Sequence, residues 1–416
     1  MAGRTFAQKV LSMASGEEAR PGDVVNARID LAMSHESAAL VIRSFREIGA
    51  GSVWDPERVV ILFDHRVPAY STKAAQTHRE IREFVKEQAI GNFYDLRAGI
   101  CHQVLPEKGH VLPGDLIVGT DSHTTTYGAF GAFSTGIGAT EMAGVWSTGE
   151  LWMKVPETIR LRLEGTLQDR VTAKDVILHL IGSLGADGAD YRCVEFVGPV
   201  VEEMSVSGRM VLSNMSMEMG AKTGVCFPDG KTAGWLARRT LRGISPVLSD
   251  PSAEVEEIRC HLSDMPPQVA RPHGVDDVVP VDQAEGVPVD QAVLGSCTNG
   301  RLEDLEAAEE ILRGREVNPS VRLIVVPAST EVYLEAIGKG IISSLVRSGA
   351  VVVNPGCGHC LGGHQGLLAP GERCISSTNR NFKGRMGSPE AEIYLASPHT
   401  VAASALKGEI TDPRRV

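Results

Sequence analysis

The amino-acid sequence predicts an α/β protein built on parallel sheets, and two observations support this fold class. Short apolar runs recur along the chain, each followed at once by polar residues, and segments with helical periodicity lie between them. Strands that alternate with helices in this way are typical of parallel sheets. Because 416 residues exceed what one hydrophobic core usually organises, we expect two or three domains.

The domain boundaries are predicted near residues 155 and 285. The strict alternation of TIRLRLEG (158–165) indicates a half-exposed strand at the start of a differently patterned middle region. Five prolines between His261 and Asp290 indicate a linker. We therefore expect an α/β domain over 1–155, a second over 156–285 that ends in this proline-rich linker, and a third over 286–416.

Helices are expected between the strands, at THREIREFVKEQ (77–88) and at RLEDLEAAEEILRGR (301–315). In the second segment, Leu302, Leu305 and Leu312 keep one apolar face at helical spacing. The C-terminal stretch EAEIYLASPHTVAASALKGEITDPRRV is expected to form a closing helix and a tail.

Composition excludes several classes of protein. A net charge of -11 argues against binding to nucleic acid or to an anionic membrane, because such binding depends on lysine and arginine. We find neither a signal-peptide pattern nor an apolar run long enough to span a bilayer, so a cytoplasmic protein is expected. Eight cysteines are too sparse for a disulfide scaffold.

Four apolar runs end in residues that carry chemistry. Ligands of open α/β sheets bind beyond the carboxyl ends of parallel strands, so we expect these four strand ends to converge on one site. The runs 57–63, 115–120, 291–296 and 350–354 lead into Asp64-His65, Asp121-Ser122-His123, Cys297-Thr298-Asn299 and Pro355-Gly356-Cys357, respectively.

Two of these strand ends place an aspartate beside or near a histidine, and His102 in GICHQ adds a third imidazole. A carboxylate that accepts a hydrogen bond from an imidazole fixes its tautomer and raises its basicity, which suits a proton donor to a departing hydroxide. A capped turn with a solvated histidine is the alternative for either pair alone. Their occurrence at two strand ends favours a functional site.

Three cysteines lie in glycine-rich turns after apolar strands: Cys297 in GSCTNG, and Cys357 with Cys360 in NPGCGHCLGGHQG. Three thiolates that hold a 4Fe-4S cluster leave one iron open to substrate. A zinc site completed by His359, His364 or Cys374 is the alternative, and spacing alone does not decide between them. The remaining cysteines, at 101, 193, 226, 260 and 374, are expected to have packing roles.

Arg380 and Arg385 lie in STNRNFKGRMGSPE (377–390), a segment without helical or strand periodicity. Arginines in such loops often bind anions through a bidentate fork, although a solvated loop is the alternative. Asn214 and Glu218 stand four residues apart in SNMSMEMGAKTG, and by residue type alone Glu218 would be a surface acid.

Taken together, the motifs DHRVP, GICHQ, GTDSHT, NMSMEMGAKTG, GSCTNGR, NPGCGHCLG and STNRNFKGR resemble the aconitase superfamily in order and spacing over nearly the whole chain. The resemblance favours the iron-sulfur cluster over zinc. It implies an aconitase-like large subunit with three α/β domains around a 4Fe-4S cluster.

The resemblance also implies a role for each motif residue. The cluster ligands would be Cys297, Cys357 and Cys360, and Asp64 with His65 would protonate the leaving hydroxyl. The residues around the water and hydroxyl on the open iron would be His102, Asp121, His123 and Glu218. Substrate would be bound by Arg380 and Arg385, with Ser122 and Asn214 as further contacts.

The implied activity is that of a hydro-lyase that dehydrates and rehydrates a hydroxy polycarboxylic acid. The expected substrate is 3-isopropylmalate, which would place the reaction in leucine biosynthesis. Homoaconitate, citrate and a dimethylmalate-like diacid are alternative substrates, and a zinc-binding structural protein is the alternative class. The resemblance further implies a separate small subunit, a swivelling domain that supplies a serine base, because nothing after Arg385 has the length to form that domain.

Two departures from the superfamily pattern stand out. His359 lies between the cluster cysteines, where proline is usual, and we expect it to tune the cluster through its surroundings. The N-terminal segment SHESA (34–38) matches only loosely, so His35 and Ser37 are not predicted as site residues.

Overall fold

The computed structural model describes residues 3–416 and contains three sheets of four or more strands, joined by helices. We call them the first, second and third sheet in chain order. The first and second sheets are wholly parallel, and the third is parallel except at one edge. The predicted α/β class is therefore confirmed, whereas the boundaries at 155 and 285 stay a prediction.

The first sheet has five strands, two of which, Val59–Leu62 and Leu116–Gly119, end next to predicted site residues. These two strands are buried along their whole length, as apolar strands covered on both faces must be. In spatial order the strands are Asn92–Tyr94, Val59–Leu62, Leu31–Ser34, Leu116–Gly119 and Phe133–Gly136. A separate antiparallel pair is formed by Val24–Arg28 and Glu150–Lys154. The helices of this region are Phe6–Ser15, Ala38–Glu47, Thr72–Glu87, Cys101–Glu107 and Ala139–Thr148, with a 3-10 segment at Ser122–Phe130.

The second sheet has four strands, and its strand Thr158–Glu164 shows the alternating burial that the sequence predicts. In spatial order the strands are Thr223–Cys226, Cys193–Val197, Thr158–Glu164 and Glu256–His261. The helices are Ala173–Leu184, Pro199–Glu203, Val206–Met215 and Gly230–Leu236, with a 3-10 turn at Ser216–Met219.

The third sheet has seven strands, and its central strand Gln291–Gly295 leads into Cys297. In spatial order the strands are Val278–Pro280, Gln268–Ala270, Glu392–Ala396, Arg373–Ser376, Gln291–Gly295, Arg322–Val326 and Val351–Val352. The helices are Leu302–Leu312, Thr330–Gly338, Ile341–Arg347 and Pro398–Lys407, and the 3-10 turns are Val281–Gln283, Gly358–Leu361 and Pro413–Arg415.

The proline-rich segment predicted as a linker does not lie free of the sheets. Its strands Gln268–Ala270 and Val278–Pro280 pair antiparallel to each other at one edge of the third sheet, and Gln268–Ala270 also pairs with Glu392–Ala396. Proline is tolerated at a sheet edge because the outer side of an edge strand needs no N–H donor. Composition alone therefore did not distinguish a linker from an edge hairpin.

The hydrophobic cores extend across the sheets. One buried cluster contains Leu62 and Tyr127 of the first sheet region together with all three candidate ligand cysteines. Another joins residues of the second and third sheets, such as Phe196 and Val293. The strand ends that carry the predicted chemistry are thus packed against one another. Among residues 3–416, we find no helix that is both long and apolar enough to cross a membrane.

Candidate active site

The Asp64–His65 pair follows the strand Val59–Leu62 and is buried. Asp64 Oδ1 lies 2.6 Å from His65 Nδ1. The other oxygen, Oδ2, accepts a hydrogen bond of 2.9 Å from the backbone N–H of Cys101. With both of its oxygens engaged, the carboxylate fixes the imidazole ring, and His65 Nε2 is left to act at the site.

Glu36, which follows the strand Leu31–Ser34, holds the backbone of this pair. Its carboxylate accepts hydrogen bonds from three successive backbone N–H groups that begin at Asp64, and the shortest measures 2.7 Å. Burial raises the pKa of Glu36, but the imidazoles of His35 and His78, 3.6 and 3.7 Å from its oxygens, outweigh that effect and hold the pKa well below its ordinary value. Glu36 therefore stays ionised and positions the turn that carries Asp64.

Asp121 connects three histidines at the end of the strand Leu116–Gly119. Its Oδ1 lies 3.0 Å from His102 Nε2 and accepts a 2.8 Å hydrogen bond from the backbone N–H of His123. Its Oδ2 lies 3.5 Å from His65 Nε2. Burial raises the pKa of Asp121, but the hydrogen bonds with His102 and His123 outweigh it and keep the carboxyl ionised.

A second set of contacts involves the turn Ser216–Met219 and the loop that follows the strand Arg373–Ser376. Glu218 Oε1 lies 2.7 Å from His123 Nε2 and accepts a 2.8 Å hydrogen bond from Arg380 Nε. Burial raises the pKa of Glu218, but His123 and Arg380 together lower it below its ordinary value. Glu218 is buried and paired, so it is not the surface acid that its residue type alone suggests.

The paired carboxylates change the protonation of two imidazoles. Burial lowers the pKa of His65, but Asp64 and Asp121 outweigh it and raise the pKa to about 10. The same balance, with Asp121 and Glu218 as partners, raises the pKa of His123 to about 10. Both imidazoles therefore carry a proton near neutral pH, which suits proton donation.

The candidate ligand cysteines lie at two loops of the third sheet. Cys297 follows the strand Gln291–Gly295, and Cys357 and Cys360 flank the first residues of the turn Gly358–Leu361. All three thiols are free and buried. The residue before Cys297, Ser296, adopts φ +80°, a left-handed conformation that is uncommon outside glycine and often marks functional turns.

Two amide side chains donate hydrogen bonds to Cys297. Asn214 Nδ2 and Asn379 Nδ2 lie 3.3 and 3.2 Å from Cys297 Sγ. Asn379 Oδ1 also lies 3.2 Å from Cys360 Sγ and accepts a hydrogen bond from it. Donors aimed at sulfur stabilise thiolate ligands, so these contacts suit a metal centre.

The cysteine loop and the Asp64–His65 turn touch through their backbones. The N–H of Cys357 donates a 2.6 Å hydrogen bond to the carbonyl oxygen of Asp64. A Cβ added at Gly358 would lie 2.4 Å from the carbonyl oxygen of His65, so glycine is required for this approach. His65 is thereby fixed beside the candidate ligands.

The donor set of the three cysteines fits an iron-sulfur cluster. All three thiols are buried, and two amide side chains donate to the sulfur of Cys297. Iron-sulfur clusters are held by cysteine thiolates, and hydrogen bonds to the sulfurs tune them.

Four polar side chains, His35, Glu36, Asp64 and His65, do place their ligand-type atoms within 4.8 Å of one another. Glu36 is already occupied by backbone N–H groups, and Asp64 by His65 and Cys101. We therefore interpret this group as part of the proton-donating arrangement.

The arginines and Ser122 are placed differently. Arg385 Nη2 lies 3.8 Å from Cys360 Sγ, and its buried Nε has no hydrogen-bond partner among the residues described. Arg380 is held by Glu218, as given above. Ser122 lines a separate cavity of about 370 Å³ beside Tyr191, and the structure does not bring its hydroxyl into the network around Asp121.

His359 is buried, and its Nε2 has no hydrogen-bond partner among residues 3–416. Its ring centroid lies 4.9 Å from that of His364. Burial, aided by the neighbouring His364, lowers the pKa of His359 to about 4, so the ring is neutral.

Several residues of the site were missed from the sequence. His35 stacks on His65 with ring centroids 4.1 Å apart, although SHESA was excluded from the predicted site. Glu36 and Asn379 carried no signal of spacing or type. Their position in the chain could have identified them. SHESA begins at the last residue of the buried strand Leu31–Ser34, just as the predicted site residues come at the ends of strands.

Comparison with known proteins identifies the family of the chain. The family described as "Aconitase family (aconitate hydratase)" matches residues 8–408, which is nearly the whole chain. The chain belongs to the aconitase family.

Several relatives within this family are highly similar. The chain is 56% identical over 414 residues to a protein of Methanopyrus kandleri named 3-isopropylmalate dehydratase large subunit 1, with 99% of both chains covered. It is 52% identical over 415 residues to a protein of Methanothermobacter thermautotrophicus named probable methanogen homoaconitase large subunit, with 98% of this chain and 97% of the other covered.

A solved structure supports the fold. The crystal structure of Thermococcus kodakaraensis aconitase X in its holo-form matches with a TM-score of 0.52 and covers 98% of this chain and 92% of that one. Because the two sequences are only 12% identical, the likeness concerns the fold alone.

Proposed function

We propose that this chain is the large, cluster-bearing subunit of a 3-isopropylmalate dehydratase, a hydro-lyase that moves a hydroxyl group between adjacent carbons of its substrate. The observation that carries the proposal is the buried His65, fixed between Asp64 and Asp121 and beside three buried cysteines. The Methanopyrus kandleri relative with this name, 56% identical, supports the choice of substrate.

His65 is the proposed acid for the departing hydroxyl. The proton on Nε2 is available to the site because Asp64 accepts from Nδ1, and the neighbouring carboxylate of Asp121 stabilises the protonated imidazole before the transfer. Proton transfer from a positioned side chain contributes about 10²- to 10⁴-fold to a rate. His102, His123 and Glu218 would hold water and hydroxyl in place through the Asp121 and Glu218 contacts.

Cys297, Cys357 and Cys360 are the proposed ligands of a 4Fe-4S cluster. When bound, the cluster supplies a Lewis-acidic iron without a protein ligand, which withdraws charge from the substrate hydroxyl and a carboxylate. Arg380 and Arg385 would bind substrate carboxylates, and the unpartnered Nε of Arg385 is available for that purpose. The main role of Asn214 would be to donate a hydrogen bond to the sulfur of Cys297, and a contact with the substrate would be secondary.

A separate small subunit is the proposed partner, and it would supply the serine base. The relatives named as large subunits support this proposal.

All eight cysteines of the chain are free, which suits a reducing compartment such as the cytoplasm.

Homoaconitase is the second candidate, because a relative named as a probable methanogen homoaconitase large subunit is 52% identical over nearly the full length. The two candidates share the chemistry of the site and differ in substrate.

The test is to purify the chain anaerobically, supply iron and sulfide, and record iron, sulfide and zinc contents with a visible spectrum. We expect about four irons and four sulfides per chain, lost in Cys297→Ala and kept in Cys193→Ala, a buried cysteine in the second sheet. Activity on 3-isopropylmalate and homoaconitate is then measured with and without a co-expressed small subunit. A colourless protein with stoichiometric zinc would exclude the dehydratase, and activity of the large chain alone would exclude the required partner.

A further inference from the structure

Two fully buried cations beside the cysteine loops have no carboxylate in contact. Lys174 is 0% exposed and Arg301 is 2% exposed. Among residues 3–416, no carboxylate oxygen lies within 4.0 Å of the Lys174 ammonium or of the Arg301 guanidinium, since neither forms an ion pair. A buried charge without a counter-charge is costly, so each should have a compensating group.

The chain gives a carboxylate to another buried cation of the same kind. Arg209, 1% exposed, forms an ion pair with Asp229 and also donates to the carbonyl oxygens of Val201 and Glu202. The chain can therefore place a carboxylate in contact with a buried cation, and it does not do so at Lys174 and Arg301.

Lys174 faces the loop that carries Asn379 and Arg380. Its Nζ donates hydrogen bonds to the carbonyl oxygens of Ser377, at 3.1 Å, and of Thr378. These carbonyls immediately precede Asn379, whose amide contacts Cys297 and Cys360. The Lys174 ammonium is thus separated from the cysteine sulfurs by the loop that carries Asn379.

Arg301 faces the loop that carries Cys297. Its Nη2 donates a 2.8 Å hydrogen bond to the carbonyl oxygen of Cys297, and Nη1 donates to that of Thr298. Its Nε donates 2.9 Å to Gln103 Oε1. The carboxylate of Asp304 accepts from the backbone N–H of Arg301 and from Asn299, and its charge raises the pKa of both Arg301 and Lys174, so the two buried cations share this carboxylate.

We propose that Lys174 and Arg301 are buried counter-charges for the iron-sulfur cluster, which completes a charge balance that the polypeptide alone leaves open. Three thiolates outweigh the charge of a 4Fe-4S core in its 2+ state, so the bound cluster is an anion. Both cations act through backbone carbonyls and at a distance, and they are positioning residues that do not touch the substrate. This inference rests on the proposed function, because it requires a cluster at Cys297, Cys357 and Cys360.

The electrostatic surroundings of Lys174 agree with this assignment. Burial lowers the pKa of Lys174 to about 7, and the charges that raise it most are those of Cys360 and Cys297 in their thiolate form, ahead of Asp304 and Asp175. Sulfur is therefore the principal source of negative charge that this ammonium meets.

The test compares Lys174→Gln, which removes the charge but keeps a donor, with Lys174→Arg, which keeps both. The midpoint potential of the reconstituted cluster is measured by electron paramagnetic resonance during a redox titration. A nearby positive charge stabilises the reduced, more negative cluster, so we expect Lys174→Gln to shift the potential to a more negative value. The equilibrium constant for cluster reduction should fall about tenfold. Lys174→Arg should stay near the wild type, as should Arg209→Lys, a conservative change at the paired buried cation.

Two outcomes would overturn the inference alone: a wild-type potential in Lys174→Gln, or an equal shift in Lys174→Arg. If wild-type protein binds no iron and sulfide on reconstitution, the proposed function itself is overturned. If Lys174→Gln fails to retain a cluster, thermal unfolding of the cluster-free proteins decides. A counter-charge role requires cluster-free Lys174→Gln to be at least as stable as cluster-free wild type, whereas a purely structural role requires it to be less stable.

Discussion

The histidine side of the site and the cysteine side balance their buried charges in different ways. On the histidine side, Asp64, Asp121 and Glu218 each contact an imidazole within the chain itself. On the cysteine side, Lys174 and Arg301 have hydrogen bonds to carbonyl oxygens but no carboxylate in contact. In our proposal, this difference means that the polypeptide alone organises proton transfer on the histidine side, whereas the cysteine side is complete only with its cofactor.

The largest expected effect comes from breaking the histidine side alone. Replacing His65 by Gln removes the proposed acid, and we expect kcat to fall about 10²- to 10⁴-fold with unchanged iron and sulfide contents. Steady-state kinetics and metal analysis of the assembled enzyme check this. His261→Gln, on the strand Glu256–His261 of the second sheet, is the matched control. Loss of the cluster in His65→Gln would show that the two sides are not separable.

Glu36 tests whether the histidine side depends on a residue outside the predicted motifs. Replacing Glu36 by Gln removes a charge that accepts three backbone hydrogen bonds, so the free energy of unfolding should fall by about 2 kcal/mol. Denaturant unfolding of the cluster-free protein measures this, with the exposed Glu80→Gln as control. Equal stabilities of the two variants would contradict the positioning role of Glu36.

The two sides should also respond to pH with opposite signs. The pKa of His123 is raised to about 10, so its stabilising contribution is complete below about pH 6.5 and is lost as pH rises toward 10. The pKa of Lys174 is lowered to about 7, so its destabilising contribution disappears as pH rises from about 7 to 10.5.

The free energy of unfolding of the cluster-free protein is therefore compared between wild type and each variant from pH 7 to 9. The advantage of wild type over His123→Asn should shrink by about 1 kcal/mol per pH unit, and its difference from Lys174→Gln should change by a similar amount in the opposite direction. Slopes of the same sign for both variants would contradict the opposite charge balance of the two sides.

The sequence predicted the strand ends well, because each of the four apolar runs contains a strand, and three of these strands are buried along their whole length. The convergence of Asp64, His65, His102 and Asp121 followed from the rule that parallel strands end at one edge. What the sequence did not supply was pairing across distant segments. Glu36 accepts a hydrogen bond from the backbone of Asp64, and Lys174 donates one to the backbone of Ser377. Every residue type has these backbone groups, so the sequence does not reveal such contacts.

The edge hairpin shows the same limit from another direction. The prolines of 266–288 suggested a linker, but an edge strand tolerates proline, and pairing with Glu392–Ala396 depends on a partner more than 100 residues away.

The smallest effect is expected at Ser122, which belongs to neither side. The resemblance predicts it as a substrate contact, whereas the structure places it at a cavity beside Tyr191 and away from the Asp121 network. Ser122→Ala should therefore leave KM for the substrate within about threefold of wild type, less than one good hydrogen bond contributes. Arg380→Lys, which weakens the contact with Glu218 and the proposed carboxylate site, is the comparison and should raise KM clearly more. A tenfold rise in KM for Ser122→Ala would mean that the small subunit joins this cavity to the active site, and the division of the site into two sides would need a third.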